Sequence, residues 1–458
     1  MDYGPLIARQ RAFFLTGATA SEGFRRGQLE ALRDALIRRE ADFLSALHAD
    51  LRKSPQEAYA AEIGHVLGEI RHALKNLRAW MTPECRRATV FAWPSRAALH
   101  REPFGVALII GPWNYPLQLL LAPLVGAIAG GNTAVLKPSE FAPHTAAVVA
   151  AMFAETFDEA FIAVVEGGQD SAEELLREKS DTIFFTGSTR TGRAVMSAAA
   201  RHLTPVTLEL GGKCPCIVAA DAPIEMTARR IVWGKFMNAG QTCVAPDHLW
   251  VDKRVAPVLL DALRKAIHDF YGVDPQRSPD YGRIITRRHF DRLHALLADG
   301  SIFRGGRAEA DDLYLEPTIL TEVAGDSALM GEEIFGPILP VLEYDDIDEV
   351  LSTLRGQPIP LALYLFTADR ALQDRMITET RSGGVCINDT ISHIIGRDLP
   401  FGGVGDSGMG SYHGRASFEC FTHQRAVLRR SLWIDPAFRY PPARASLVFL
   451  KRMMRYFG

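Results

Sequence analysis

Cysteine is scarce in this chain of 458 residues: Cys85, Cys214, Cys216, Cys243, Cys386 and Cys420 are the six present. So few thiols over such a length make no disulfide framework. Cys214 and Cys216 form C-x-C rather than C-x-x-C, with no paired histidines nearby, so no metal site is expected. The thiols read as reduced, which favours the cytoplasm. Long apolar runs are missing too. The longest, Tyr115 to Ile128, contains two prolines and falls short of the roughly 20 residues that cross a bilayer. It reads as a buried helix, and no membrane span is expected. The N-terminus shows no apolar stretch followed by a small-residue cleavage site, so no secretory signal is read. A formal net charge of −3 and the lack of a long basic run in the body of the chain give no reason to expect a nucleic-acid partner.

What is present is ordinary globular composition, 47% hydrophobic and 23% charged. At about 100–200 residues per domain the length implies two or three domains. Residues 22–80 are read as two amphipathic helices, RRGQLEALRDALIRREADFLSALHADL and EIGHVLGEIRHALKNLRAW, packed on a sheet and carrying no catalytic constellation. From residue 104 short β-rich runs alternate with helical ones: GVALIIG, PLQLLLAPLVGAIAGG, TAVLKPS, PHTAAVVAAMFAETF, FIAVVEGG, SAEELLREKS, DTIFFTG, RTGRAVMSAAARHL. That rhythm predicts an α/β fold with a doubly wound parallel sheet, whose ligands bind beyond the carboxyl ends of the strands. A second α/β region begins near Glu209, with CPCIVAA and DHLWVD as strands and MTARRIVWGKFMNAG and VAPVLLDALRKAIHDFY as helices. No low-complexity linker separates the two regions.

Five motifs follow one another in the chain. IIGPWNYP puts Asn114 at a strand end, TLELGGK puts Glu209 before a Gly-Gly pair, and NAGQTCVAPD puts Cys243 just after Gly240. EEIFGP holds Glu333 and Phe335, and PFGGVGDSGMG is a glycine-rich loop. Each motif alone is weak or moderate; all five in this order are a strong signal. There is no G-x-G-x-x-G after a strand. FFTGSTRTGRAVM instead sets Gly187 and Gly192 between a strand and a helix, and Arg193-Ala194 stands where a triphosphate loop needs Lys-Ser/Thr. The glycines still let the backbone approach a pyrophosphate at a helix N-terminus.

Together the motifs resemble the aldehyde dehydrogenase superfamily, and within it the shorter class 3 branch. KPSE (Lys137 to Glu140), the VAPD after Cys243, and SGMGSYHG followed by FTHQ are similar to that branch. The likeness runs from about residue 10 to about residue 445. It implies an NAD cofactor, with NADP also accepted, and a small-molecule aldehyde as partner. The chemistry those enzymes perform can be argued from the residues themselves. An aldehyde yields hydride only after a nucleophile makes its carbon tetrahedral. A cysteine thiolate such as Cys243 supplies that adduct. An amide such as Asn114, with the Cys243 backbone N–H, holds the oxyanion. A carboxylate such as Glu209 activates the water that hydrolyses the thioester, with Glu333 as its rival for the role of base. Asn114 also suits a plain turn before Tyr-Pro.

By resemblance, the cofactor would contact Trp113, Lys137, Glu140, Gly187, Ser188 and Gly192, with Glu333 on the nicotinamide ribose and Phe335 beside it. Tyr115, Thr242, Phe401 and His413 would line the aldehyde pocket. His413 reads equally well as a structural histidine. An aromatic-lined pocket would suit a fatty or aromatic aldehyde. The expected division is residues 1–85 and 104–208 for the cofactor, 209–395 for catalysis, 86–103 and 411–440 as a bridging element between the subunits of a homodimer, and 441–458 as a tail. The tail's SLVFLKRMMRYFG mixes apolar and basic residues and is read as packing on a partner subunit, a membrane surface being the alternative.

Overall fold

The computed structural model describes residues 2–89, 92–435, 440–442 and 445–457. Positions 90, 91 and 436–439 of the expected bridging element, and 443, 444 and 458 of the expected tail, lie outside the described residues. Among the described residues three sheets organise the chain, with a two-stranded hairpin beside them. The first has six strands, in the order Gly408–Met409, Val206–Glu209, Thr182–Thr186, Val106–Ile110, Thr133–Lys137 and Ile162–Val164. All are parallel except Gly408–Met409, which pairs antiparallel with Val206–Glu209. Val106–Ile110, Thr133–Lys137 and Thr182–Thr186 are buried along their whole length, as expected of strands covered on both faces. From Val106–Ile110 the chain first winds outward one way, then returns to lay Thr182–Thr186 on the other side. The strand order therefore reverses between these two strands.

The second sheet has seven strands, in the order Ser301–Arg304, Thr318–Thr321, Ile338–Tyr344, His248–Asp252, Pro215–Val218, Ala362–Phe366 and Gly384–Ile387. Only Ser301–Arg304 runs antiparallel to its neighbour. The third is a three-stranded antiparallel ribbon of Glu84–Arg86, Ser95–Pro103 and Thr422–Arg430, with the last two paired from Ser95↔Arg430 to Pro103↔Thr422.

The apolar run after Trp113 forms the helix Gln118–Gly130, buried at every residue. Its Gly126 lies against Ser417: a Cβ there would meet the serine at 2.7 Å, so only glycine lets the two helices approach. The first N-terminal stretch, read above as one helix, is two: Glu22–Arg38 and Glu40–Leu51. Arg39 leaves helical geometry (φ −97°, ψ 11°). Glu40 and Asp42 supply the acids that favour a new helix start, and Arg39 pairs with Asp42 at 2.9 Å and Glu155 at 2.5 Å. Among the described residues no helix is long and apolar enough to cross a membrane.

Candidate active site

Where the strand order reverses, the loops after Val106–Ile110 and Thr182–Thr186 part and leave a cavity of about 230 Å³. This is where open α/β sheets take ligands. Trp113 and Asn114 line it from one loop and Gly187 and Ser188 from the other. Glu209, the last residue of its strand, Cys243 and Glu333 complete the wall. A second hollow of about 400 Å³ adjoins it through Gly211 and Glu333.

The Cys243 loop is built by unusual backbone. The helix Ile224–Phe236 ends, and Asn238 (φ 52°), Ala239 (φ 51°) and Gly240 (φ 75°) all turn left-handed. A Cβ on Gly240 would meet the Gly336 carbonyl oxygen at 2.3 Å, so the motif's glycine is required by the turn and by the close approach. Buried Gln241 pins the loop. Its Nε2 donates to the carbonyls of Asn238 (3.0 Å) and Arg283 (2.9 Å), and its Oε1 accepts from Ile285 N at 3.0 Å.

Asn114 is clamped to the same loop. Its Nδ2 donates to the Gln241 carbonyl at 3.0 Å, and the amide carries a second N–H beside the cavity that the residue lines. Its own carbonyl accepts from Asn238 Nδ2 and from Lys53 Nζ, both at 2.8 Å. Lys53 is buried and paired with Glu62, whose second oxygen accepts from the backbone N–H of Leu117 (2.9 Å) and Gln118 (3.2 Å). Glu62 sits in a short π-helical turn, Tyr59–Ile63. A charge pair from a stretch read above as plain packing helices thus fixes the Asn114 loop. Residue types alone gave no sign of it, because its partners lie about sixty residues on.

Burial disfavours the charged form of all three acidic groups of the cavity. Burial pushes the Cys243 thiol up, and Glu333 and Glu209 push it further. Glu209 is 2% exposed and neither carboxyl oxygen has a hydrogen-bond partner. Burial alone lifts it well above the usual carboxylate range. Burial also lifts Glu333, to about 8, with help from Asp247 and against a Gly212 N–H. Asp247 is held below the usual carboxylate range: burial, the largest single influence, pushes it up, but Lys213, His248 and Lys235 together outweigh that. Its Oδ1 accepts from Ile334 N at 2.8 Å and its Oδ2 from Lys213, which ties the Glu333 segment to the Cys243 loop.

Of the residues singled out for a cofactor, Trp113, Gly187, Ser188, Glu333 and Phe335 line the cavity. Ser188 caps the helix Thr189–Ala200, accepting from Thr191 N at 3.3 Å. Trp113 meets the Phe335 ring edge-on at 5.4 Å, and Phe335 holds a left-handed φ of 52°. Gly192 lies one turn deeper, where a Cβ would strike Leu210 at 2.6 Å, so it sets helix-to-strand packing and does not face the cavity. Lys137 and Glu140 stand 3.6 Å apart just past the neighbouring strand end, outside the cavity wall. His289 and Arg292 also line the cavity, and sequence reasoning missed both. Arg292 donates to the Ile334 carbonyl at 2.5 Å, a contact no local pattern announces.

The four residues singled out for the aldehyde fall into two groups. Tyr115 and Thr242 share a hydrogen bond at 2.7 Å beside the Asn114–Cys243 junction. Phe401 and His413 belong to an aromatic cluster with Tyr412, with ring centroids 5.5 Å apart for Phe401–His413 and 4.3 Å for Tyr412–His413. His413 is neutral: burial pushes it down to about 3, with His65 adding. His65 and Glu69 approach it within 4.8 Å, and Arg397, 3.7 Å from Glu69, already gives that group a cation.

A capped helix N-terminus beside an open glycine turn, an aromatic wall and a buried carboxyl group fit a dinucleotide with its pyrophosphate on the helix and its nicotinamide near Cys243. That crevice, with a thiol, an amide donor and a buried carboxyl group around it, marks the protein as a dinucleotide-dependent oxidoreductase. It belongs to the aldehyde dehydrogenase family, whose model matches residues 8–427. It is 45% identical over 447 residues to 4,4'-diaponeurosporen-aldehyde dehydrogenase of Staphylococcus aureus, covering 97% of each chain. It is 45% identical over 444 residues to the dimeric NADP-preferring aldehyde dehydrogenase of Canis lupus familiaris, covering 96% of this chain and 98% of that one. The substrate-bound structure of Staphylococcus aureus AldH superposes with a TM-score of 0.96 at 44% identity, covering 98% of this chain and 99% of that one. An NAD-dependent aldehyde dehydrogenase from Sinorhizobium meliloti gives 0.85 at 28% identity, covering 94% and 88%. The protein is thus an NAD(P)-dependent enzyme that oxidises aldehydes.

Proposed function

We propose that the enzyme converts an apolar aldehyde, fatty or aromatic, to its carboxylic acid through a thioester on Cys243. The convergence of Cys243, Asn114 and Glu209 on one cavity is the observation that supports this most. The Cys243 thiol attacks the aldehyde carbon and gives up its proton, to water or to a Glu209 carboxylate. The alkoxide accepts from the second Asn114 N–H and the Cys243 backbone N–H. Trp113, Gly187, Ser188, Glu333 and Phe335 hold NAD(P), which supplies the hydride acceptor when bound. Glu209, its proton first passed to solvent, takes a proton from water, the oxygen attacks the thioester carbon, and the Cys243 thiolate leaves. Aldehyde-dependent NADH formation over a chain-length and aromatic series tests the reading. Apolar aldehydes are expected to give the highest kcat/KM. Added coenzyme A is expected to leave the acid as product, and an acyl-coenzyme A product would show a transferring enzyme instead.

Glu140 is assigned to the cofactor ribose hydroxyls, where its charge disfavours a 2′-phosphate while neighbouring Lys137 tolerates one. Glu140→Gln is therefore expected to shift the ratio of kcat/KM values toward NADP by about tenfold. Strict NADP dependence of the unaltered enzyme would contradict the assignment.

We also propose a cytoplasmic homodimer. All six cysteines are free. The strand Thr422–Arg430 is an edge of its sheet, with a row of backbone groups open to pairing. Leu432 and Trp433 just beyond it are 98% and 95% exposed. Sedimentation equilibrium is expected to give twice the chain mass; a monomer at micromolar concentration would refute the dimer.

A further inference from the structure

Three side chains able to ligate a metal meet in the interior, and none of them lines the cavity. His65 and Glu69 are four residues apart on the helix Gly64–Met81, so both project from one face. His413 reaches them from the turn before the helix Arg415–Cys420. One donor atom of each residue lies within 4.8 Å of the other two, and His65 Nε2 stands 4.0 Å from Glu69 Oε1.

The protein gives these atoms nothing to bond. His65 Nε2, Glu69 Oε1 and both ring nitrogens of His413 are buried without a hydrogen-bond partner. Glu69 is 2% exposed and His413 3%, and buried polar atoms left so are costly. The backbone nonetheless holds the groups in place. Gly414 N donates to Glu69 Oε2 at 2.9 Å, and His413 N donates to Ser417 Oγ at 2.8 Å. His413 itself takes a left-handed φ of 77°, a strain that persists only where the surroundings impose it. The Ile394 backbone lies beside the His413 ring, where a coordinated imidazole needs an acceptor for its other N–H.

Two imidazoles and a carboxylate suit zinc. At bonds of about 2.0–2.2 Å, tetrahedral ligands stand roughly 3.4 Å apart, so the trio must close by about an ångström. Arg397 is the competing cation. Its Nε is 3.7 Å from Glu69 Oε1, beyond hydrogen-bond reach, and has no partner of its own. Its side chain is 32% exposed and can swing into solvent as a metal enters. We propose that His65, Glu69 and His413 bind a zinc ion, which fastens the helix Gly64–Met81 to the His413 turn. The inference is independent of the substrate class proposed above.

Equilibrium dialysis against micromolar zinc chloride tests it, using the full-length enzyme with Cys243→Ala so that the nucleophile takes no metal. One zinc per chain is expected, with a melting temperature that rises with zinc concentration. Cobalt in its place is expected to show the visible bands of a four-coordinate site and no thiolate charge-transfer band. His65→Phe and Glu69→Gln are each expected to weaken zinc binding by more than the roughly 10–100-fold that loss of an outer-shell partner costs. Arg397→Gln removes the competing charge and is expected to tighten binding by about tenfold, a gain that misfolding could not produce. Absence of bound zinc would overturn the proposal. So would zinc binding undiminished by His65→Phe, or a cobalt spectrum carrying a thiolate band.

Discussion

Cys243→Ala is expected to lose aldehyde oxidation by about four orders of magnitude or more, while binding cofactor nearly as well as the unaltered enzyme. Without the thiol there is no tetrahedral adduct, and the aldehyde carbon has no hydride to give. None of the other five cysteines lines the cavity. Cys214 is buried, and its sulfur is occupied by the Cys243 carbonyl at 3.4 Å and the Ala362 N–H at 3.3 Å. Cys216 is buried within a strand of the seven-stranded sheet, and Cys420 is engaged with Thr207 at 3.0 Å. Cofactor binding survives because Gly187 and Ser188 belong to the other sheet's loops and make no bond to the Cys243 side chain. Steady-state NADH formation, paired with a fluorescence titration of cofactor, reads both halves. More than a small residual rate would remove Cys243 from the mechanism.

Glu209→Gln is expected to complete one turnover and stall in the next. The thiolate can arise slowly without this base, so rapid mixing should show a burst of about one NADH per active site, followed by turnover slowed by roughly 10²–10⁴-fold. Glu333→Gln should instead slow the burst, because Glu333 is assigned to the nicotinamide ribose. No burst from Glu209→Gln with a full burst from Glu333→Gln would reverse the two roles. A pH dependence follows from the burial of Glu209. A base must be ionised to act, and burial lifts this carboxyl well above its usual range. Deacylation in the unaltered enzyme should therefore speed up as pH rises beyond the ordinary carboxylate range, and Glu209→Gln should lose that rising limb. Stability runs the other way. With its folded-state value raised, the protonated carboxyl contributes stability that is complete below its unfolded value and is lost as pH rises toward the folded one. Glu209→Gln has no proton to lose, so its melting temperature relative to the unaltered enzyme should climb from mildly acidic to alkaline pH.

The residues that meet at the cavity were legible because each sits in a short loop at a strand or helix end, where glycines and prolines leave a readable signature. Gly240 is demanded by a left-handed turn, and Gly187 opens the way to a capped helix. The alternation of apolar strands and helices likewise revealed the parallel sheets. Contacts between distant segments were not legible. Lys53 and Glu62 look like surface charges on an amphipathic stretch until the fold buries both against the Asn114 loop. Gly408–Met409, inside a glycine-rich loop, becomes an edge strand only because Val206–Glu209 offers it a partner. Arg39 interrupts a run of good helix formers because the next helix starts on its own acids, a competition that apolar periodicity does not register. His289 and Arg292 occupy an ordinary polar helix, and only its placement turns them toward the cavity.

The thioester itself can be caught. Glu209→Gln, mixed with cofactor and a fatty aldehyde and quenched in acid within the stalled phase, should hold the acyl group on Cys243. Tryptic digestion releases Phe236 to Lys253, which contains Cys243 and no other cysteine. Mass spectrometry is expected to find that peptide heavier by the acyl group, in an amount equal to the NADH burst. A full burst with Cys243 unmodified, or with the acyl group on Cys214, Cys216, Cys386 or Cys420, would contradict a mechanism through Cys243.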